Sequence, residues 1–157
     1  MWRVLLVDDE SHIRHFYSEE LSGDGYEVIT LNSGHRLLQR ICSIQPDLVV
    51  LDIRLGDGWD GLDLLQDIKN RFFDLPVILC TAYDTFKYDL RSAASDSYVV
   101  KSENLSELKE KIKTAIQKIP PSLHTGEILT ACEGIHKQQH QPIQAIPING
   151  RYTNSWE

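Results

Sequence analysis

The chain has 157 residues, a net charge of −7, 41% apolar residues and 25% charged residues. That length accommodates one ordinary domain and an appendage, and the composition is that of a water-soluble globular protein. The acidic balance, without a basic run or stripe, offers nothing to a nucleic-acid backbone. No apolar run approaches membrane length and no leader-like segment opens the chain, so a cytoplasmic location is expected.

The first predicted element is the apolar run Val4 to Val7, which leads straight into Asp8, Asp9 and Glu10. Ile13, Phe16, Tyr17 and Leu21 then recur at helical spacing, before a second strand at Glu27 to Leu31. Leu37, Leu38, Ile41 and Ile44 mark a second helix and Leu48 to Leu51 a third strand, which delivers Asp52 at its end. After the loop GDGWDG come a helix carrying Leu64, Leu65, Ile68 and Phe72 and a fourth strand, Val77 to Cys80. The segment from Asp84 to Ser95 is the least apolar helix candidate, with Phe86, Leu90 and Ala93–Ala94 as its core residues. A fifth strand, Tyr98 to Val100, runs into Lys101. The last stripe, Leu105 to Ile119, has the clearest helical period, with Asn104 and Glu107 resembling a capping box.

Continuous apolar strands alternating with helices predict an α/β doubly wound parallel sheet of five strands and five helices over residues 1–119. Pro120–Pro121 stops the last helix, and residues 120–157 form a separate C-terminal tail. The tail leaves docking, homodimerisation or a disordered end as alternatives. Within it, Cys132, His136 and His140 are spaced by four, a weak metal signal because Gly134 interrupts the helix they would need. Asn149–Gly150 reads as a hairpin turn, with Pro147 confining it to an edge. Cys42, Cys80 and Cys132, odd in number and widely spaced, read as reduced thiols.

Ligands of an open parallel sheet bind beyond the carboxyl ends of its strands. Those ends here carry Asp8–Asp9, Asp52, Thr81 and Lys101. Carboxylates at close quarters call for a hard divalent cation, and Mg²⁺ combines one or two carboxylates with phosphate oxygens. A hydroxyl and an ammonium opposite could hold further phosphoryl oxygens. One carboxylate can itself act as the nucleophile.

Asp8–Asp9, Leu51–Asp52, Thr81–Ala82, Tyr98 and Lys101, in this order and spacing, resemble the receiver domain of bacterial two-component response regulators. The resemblance spans residues 2 to about 119. It implies the flavodoxin-like strand order 2-1-3-4-5, with Asp52 as phosphoacceptor. Asp8 and Asp9 become the Mg²⁺ carboxylates, and the main-chain carbonyl of Arg54 completes the metal shell. Thr81 and Lys101 hold phosphoryl oxygens, and Tyr98 is the switch aromatic coupled to Thr81. Ala82 keeps the pocket open, while Arg54, Trp59 and Tyr83 line its rim. The expected partners are a sensor histidine kinase or phosphotransfer protein upstream and a protein target reached through residues 84–119, with no nucleic acid and no membrane. The implied function is a stand-alone phosphorylation-dependent switch, not a turnover enzyme.

Three departures stand out from that pattern. Gly56 occupies the place of a usual proline, and the loop to Asp60–Gly61 is one residue longer. Ser102 follows the lysine where a cis-proline is usual, so a trans bond is expected. The glycine usual before the aromatic is absent from SAASDSY. The alternatives are a Mg²⁺-dependent aspartyl-phosphate phosphohydrolase and a pseudo-receiver scaffold that is not phosphorylated. Against the first stands Arg54, where a dehalogenase-like phosphatase carries an acid and this chain carries a permanent cation.

Overall fold

The computed structural model describes residues 1–56, 58–120 and 126–135. Five strands, β1 (Arg3–Val7), β2 (Glu27–Leu31), β3 (Leu48–Leu51), β6 (Val77–Thr81) and β7 (Ser97–Val100), pair in parallel in the order β2-β1-β3-β6-β7. By position in the sheet this is the expected order 2-1-3-4-5. Two further short strands, β4 (Arg54–Leu55) and β5 (Trp59–Asp60), pair antiparallel with each other. They accommodate the long GDGWDG loop, and Gly58 supplies the positive φ of 78° that its turn needs.

The strands read as unbroken apolar runs because both faces are covered. Alternate residues go to opposite layers. Leu5, Val7, Val49, Leu51, Val77 and Leu79 pack with α2 (Leu37–Ile44) and α3 (Gly61–Arg71). Val4, Leu6, Leu48, Val50, Ile78 and Cys80 pack with α1 (Ser11–Gly23) and α4 (Ser106–Gln117). At the far edge of β1, Asp47 Oδ2 accepts from the Arg3 main-chain N–H at 2.7 Å. Asn104 does assist α4, accepting from the Ser106 N–H at 2.9 Å.

The helix expected over residues 84–95 is instead a 3₁₀-helix, Leu90–Ala94. Leu90 is 91% exposed rather than in the core, while Phe86 and Ala94 only partly bury against it. The local hydroxyls satisfy backbone carbonyls in another way: Ser92 Oγ donates to Phe86 O and Ser95 Oγ donates to Ser92 O. Such side-chain bonds compete with a regular helix, and too few apolar residues are present to override them. Among the described residues, four α-helices therefore flank the sheet, and a fifth, α5 (Gly126–Cys132), comes from the tail.

The tail produces the second correction. Cys42 on α2 and Cys132 on α5 form a disulfide, so only Cys80 is a free thiol among the described residues. Ninety residues separate the pair, and nothing in local spacing announces that α5 folds back on α2. The bond also removes Cys132 from the suspected metal set. His136, His140 and the Asn149–Gly150 turn lie outside the described residues. No described helix is long and apolar enough to cross a membrane.

Candidate functional site

Register places the chemistry. Val7 is level with Leu51, so Asp8 and Asp52 leave neighbouring strands at the same height. Leu51 is level with Leu79 and Thr81 with Val100, which brings Thr81 and Lys101 to the same end of the sheet. The Lys101 N–H donates to the Thr81 carbonyl at 2.7 Å, holding the last strand end in place. No cis peptide occurs among the described residues, so Lys101–Ser102 is trans as expected. The turn after it is held by Ser102, whose carbonyl accepts from Tyr17 Oη at 3.3 Å and whose Oγ accepts from the Asn104 N–H.

At the centre, the Lys101 ammonium lies 2.6 Å from Asp8 Oδ2, 2.8 Å from Asp52 Oδ2 and 3.0 Å from Glu10 Oε1. Asp8 and Asp52 are buried, with 2% and 5% of their surface exposed, while Asp9 stands at the mouth. Burial pushes both carboxyl groups above their ordinary range, and the Lys101 hydrogen bonds pull back against it. The exposed end of the cluster behaves oppositely, since the Lys101 hydrogen bond lowers Glu10. For Lys101 itself, burial works against the charge, but hydrogen bonds to Asp52 and Asp8 outweigh it and hold the ammonium above its usual value. The site is a charged cluster that burial alone would discharge.

Carboxylate oxygens of Asp8, Asp9, Glu10 and Asp52 all lie within 4.8 Å of one another. Four acids around one ammonium leave a negative excess, and their oxygens are the hard donors that Mg²⁺ prefers. Beside them, Thr81 is fully buried and its Oγ1 has no hydrogen-bond partner among the described residues. A buried hydroxyl left unpaired is costly, so it marks a place where an acceptor oxygen belongs. The residues present therefore fit a divalent cation together with an oxygen-rich ligand.

The surroundings fix this geometry. Asp8 Oδ1 accepts from the Glu10 N–H at 2.9 Å, and Arg14 Nη1 donates to the Asp8 carbonyl at 2.8 Å. Gly61 opens α3 directly against β3: a Cβ there would strike the Asp52 carbonyl oxygen and lie 2.6 Å from Ile53 Cα. Asp60 caps that helix, accepting from the Leu62 N–H at 2.8 Å. On the rim, the Arg54 guanidinium lies over the rings of Tyr83 and Phe86, at 4.6 and 5.4 Å. Trp59 is partly exposed beside His35, and Ala82 is exposed. Tyr98 is half-buried, with its hydroxyl donating to the Tyr83 carbonyl.

Asp8, Asp9, Asp52, Thr81 and Lys101 are thus brought together, with Arg54, Tyr83 and Tyr98 on one side. Two participants had no assigned role in the sequence. Glu10 carried a signal, since it completes the acidic run after β1. Arg14 carried none, because its part depends on where α1 starts.

A doubly wound sheet with paired acids, a hydroxyl and a lysine at its strand ends is the architecture of a signalling receiver, and the comparisons agree. The chain belongs to the response regulator receiver domain family, whose model matches residues 4–113. It is similar to the response regulator TrrA from Thermotoga maritima, solved in complex with Mg²⁺ and BeF. The identity is 45% and the TM-score 0.70, over 73% of this chain and 99% of that one. The complex of the histidine kinase ThkA with TrrA matches at 44% identity and a TM-score of 0.68, covering 73% and 98% of the two chains. Among curated proteins, the regulatory protein AtoC of Escherichia coli K12 is 36% identical over 118 residues, or 73% of this chain and 25% of AtoC. The transcriptional regulatory protein KdpE of the same organism is 32% identical over 120 residues, or 75% of this chain and 52% of KdpE. The chain therefore spans between a quarter and about half of these curated relatives.

Proposed function

We propose that this receiver is switched by transfer of a phosphoryl group from a histidine kinase or phosphotransfer protein to Asp52. The observation that carries the reading is the buried triangle of Asp8, Asp52 and Lys101 beside the unpartnered hydroxyl of Thr81. An Asp52 carboxylate oxygen bonds to phosphorus while the donor's phosphorus–nitrogen bond breaks, returning a free imidazole and leaving an acyl phosphate. Asp8 and Asp9, with Asp52 and the Arg54 carbonyl, would hold Mg²⁺, which when bound offsets the charge of the phosphoryl oxygens. Lys101 is already within hydrogen-bonding distance of the nucleophile and exchanges that carboxylate oxygen for a phosphoryl oxygen. Thr81 Oγ1 donates to another, which satisfies the hydroxyl that the resting site leaves unpaired.

Readout follows from the same movement. Thr81 draws toward the phosphoryl group, the Tyr83 carbonyl moves with the β6 end, and Tyr98 turns inward as its hydrogen bond there is lost. Residues 84–119 then present a changed surface to a protein target. Tyr88 and Leu90 are 88% and 91% exposed on that stretch, in keeping with a protein partner. The likeness to TrrA, solved both with Mg²⁺–BeF and with a histidine kinase, supports both the metal and the upstream partner.

The test is intact-mass analysis after incubation with a small acyl-phosphate donor, with Mg²⁺ or with a chelator, on the native chain and Asp52→Asn. One phosphoryl gain that needs both Mg²⁺ and Asp52 is expected. A gain that survives Asp52→Asn would place the chemistry elsewhere, and no gain with steady phosphate release would point to turnover.

A further inference from the structure

Helix α5 is held by three separate anchors. Cys132 is bonded to Cys42 on α2. Arg71, at the end of α3, donates from Nε to the Ala131 carbonyl and from Nη2 to the Glu133 carbonyl, each at 2.5 Å. These are carbonyls at the end of α5, where a cation is favoured. Ile135 completes the set: it is 4% exposed and belongs to the same core cluster as Ile41, Ile68 and Phe72. One anchor is covalent and reversible, and the other two are a short polar clamp and a small apolar contact, in which partly buried Ile128 and Ala131 join Ile135.

We propose that Cys42–Cys132 is a redox-operated clasp: the disulfide holds residues 126–135 on the α2–α3 face, and reduction by a dithiol frees them while the receiver core stays folded. The two sulfurs differ in access, since Cys132 is half-buried on the outer element and Cys42 is only 8% exposed. A thiolate of the dithiol attacks Cys132 Sγ, the sulfur–sulfur bond breaks, and Cys42 leaves as a thiolate that takes up a proton. The dithiol's second thiolate then attacks its own bonded sulfur and expels Cys132, so the dithiol becomes a disulfide and two electrons pass to the protein. The third cysteine does not intervene. Cys80 lies in the opposite layer, against α1 and α4, and is buried.

The sheet does not depend on the clasp, because its strands pair without α5 and the α1–α4 layer closes without it, while the α2–α3 layer takes only Ile135, with Ile128, Ala131 and Cys132 at its margin, from residues 126–135. What changes is the face itself. With α5 released, Ile41, Phe72 and the Arg71 guanidinium lose their cover, and the receiver gains a second input, set by thiol redox poise rather than by phosphoryl transfer. The clasp is at the opposite end of α3 from Asp60 and Gly61, so it operates independently of the carboxylate site.

The experiment is thiol counting and peptide-resolved amide hydrogen exchange on the full chain. Samples are treated with a mild disulfide-forming oxidant or with dithiothreitol, and Cys132→Ser serves as the reductant-independent control. After oxidation one thiol titrates in the denatured chain, and after reduction three. On reduction, amides of 128–135 exchange about tenfold faster or more, while peptides from β1, β3 and β6 are unchanged. Cys132→Ser titrates two thiols and shows the reduced chain's exchange pattern in both conditions. Three thiols after oxidation would overturn the clasp, as would a segment that stays equally protected after reduction. Loss of protection in the central strands together with the segment would overturn it too, by making the bond a structural staple.

Discussion

Replacing Lys101 with Met keeps most of the side-chain stem and removes only the ammonium, which isolates the charge argument. In the native chain that ammonium lies 2.6 Å from Asp8 and 2.8 Å from Asp52, both buried. Without it, two carboxylates whose oxygens lie within 4.8 Å face each other without a cation. At an effective dielectric of about 20, that separation corresponds to roughly 3.5 kcal/mol of repulsion. Breaking a buried ion pair by removing one partner costs about 3–5 kcal/mol by general experience, which agrees. A loss of that size is a large share of the ~5–15 kcal/mol of a typical domain. The assay is urea unfolding at neutral pH, followed by tryptophan fluorescence, in chelator and in excess Mg²⁺. Lys101→Met is expected to lose about 3–5 kcal/mol in chelator and to regain more from Mg²⁺ than the native chain does, since the cation replaces the missing charge. A loss below about 1 kcal/mol, with an unchanged Mg²⁺ response, would refute the view that these carboxylates form one electrostatic unit.

Three further expectations follow from the same geometry. Thr81→Val removes a buried hydroxyl without a partner, so urea unfolding should show it neutral or about 1 kcal/mol more stable, while intact-mass analysis shows slower phosphoryl uptake. Gly61→Ala drives a methyl group into the Asp52 carbonyl and Ile53 and should cost about 1–3 kcal/mol or more, read as a lower urea midpoint. Burial pushes the Cys80 thiol and the Tyr17 hydroxyl up to about 12, from ordinary values of 9.0 and 10.0. The unfolded chain therefore releases these protons first on raising the pH, and stability in place below 9.0 is lost toward about 12. The slope should approach about 1.4 kcal/mol per pH unit for each group, measured by denaturant unfolding across that range. A flat profile would contradict their burial.

Much of this architecture was legible because strand ends and helix stripes are local patterns. Leu48–Leu51 ending in Asp52 announced both a two-sided buried strand and a carboxylate at its exit, and the register of β1 with β3 brought Asp8 level with it. Lys101 was placed by the same logic from the run YVVK. Legibility failed where long-range partners decide. Residues 84–95 carry a weak apolar pattern, and hydroxyl-to-backbone bonds at Ser92 and Ser95 turned it into a 3₁₀-helix. The Cys42–Cys132 bond spans ninety residues and depends on α5 returning to α2. Glu10 was visible as the third acid after β1, but its bond to Lys101 comes from a strand far along the chain.

The central claim is that Asp52, and no neighbouring carboxylate, carries the phosphoryl group. The most direct measurement is reduction with borohydride of the chain after acyl-phosphate treatment in Mg²⁺, which converts a phosphorylated aspartate to homoserine, followed by peptide sequencing. Homoserine at position 52 alone is the predicted result. Homoserine at Asp8 or Asp9, or none despite a measured phosphoryl gain, would contradict the account.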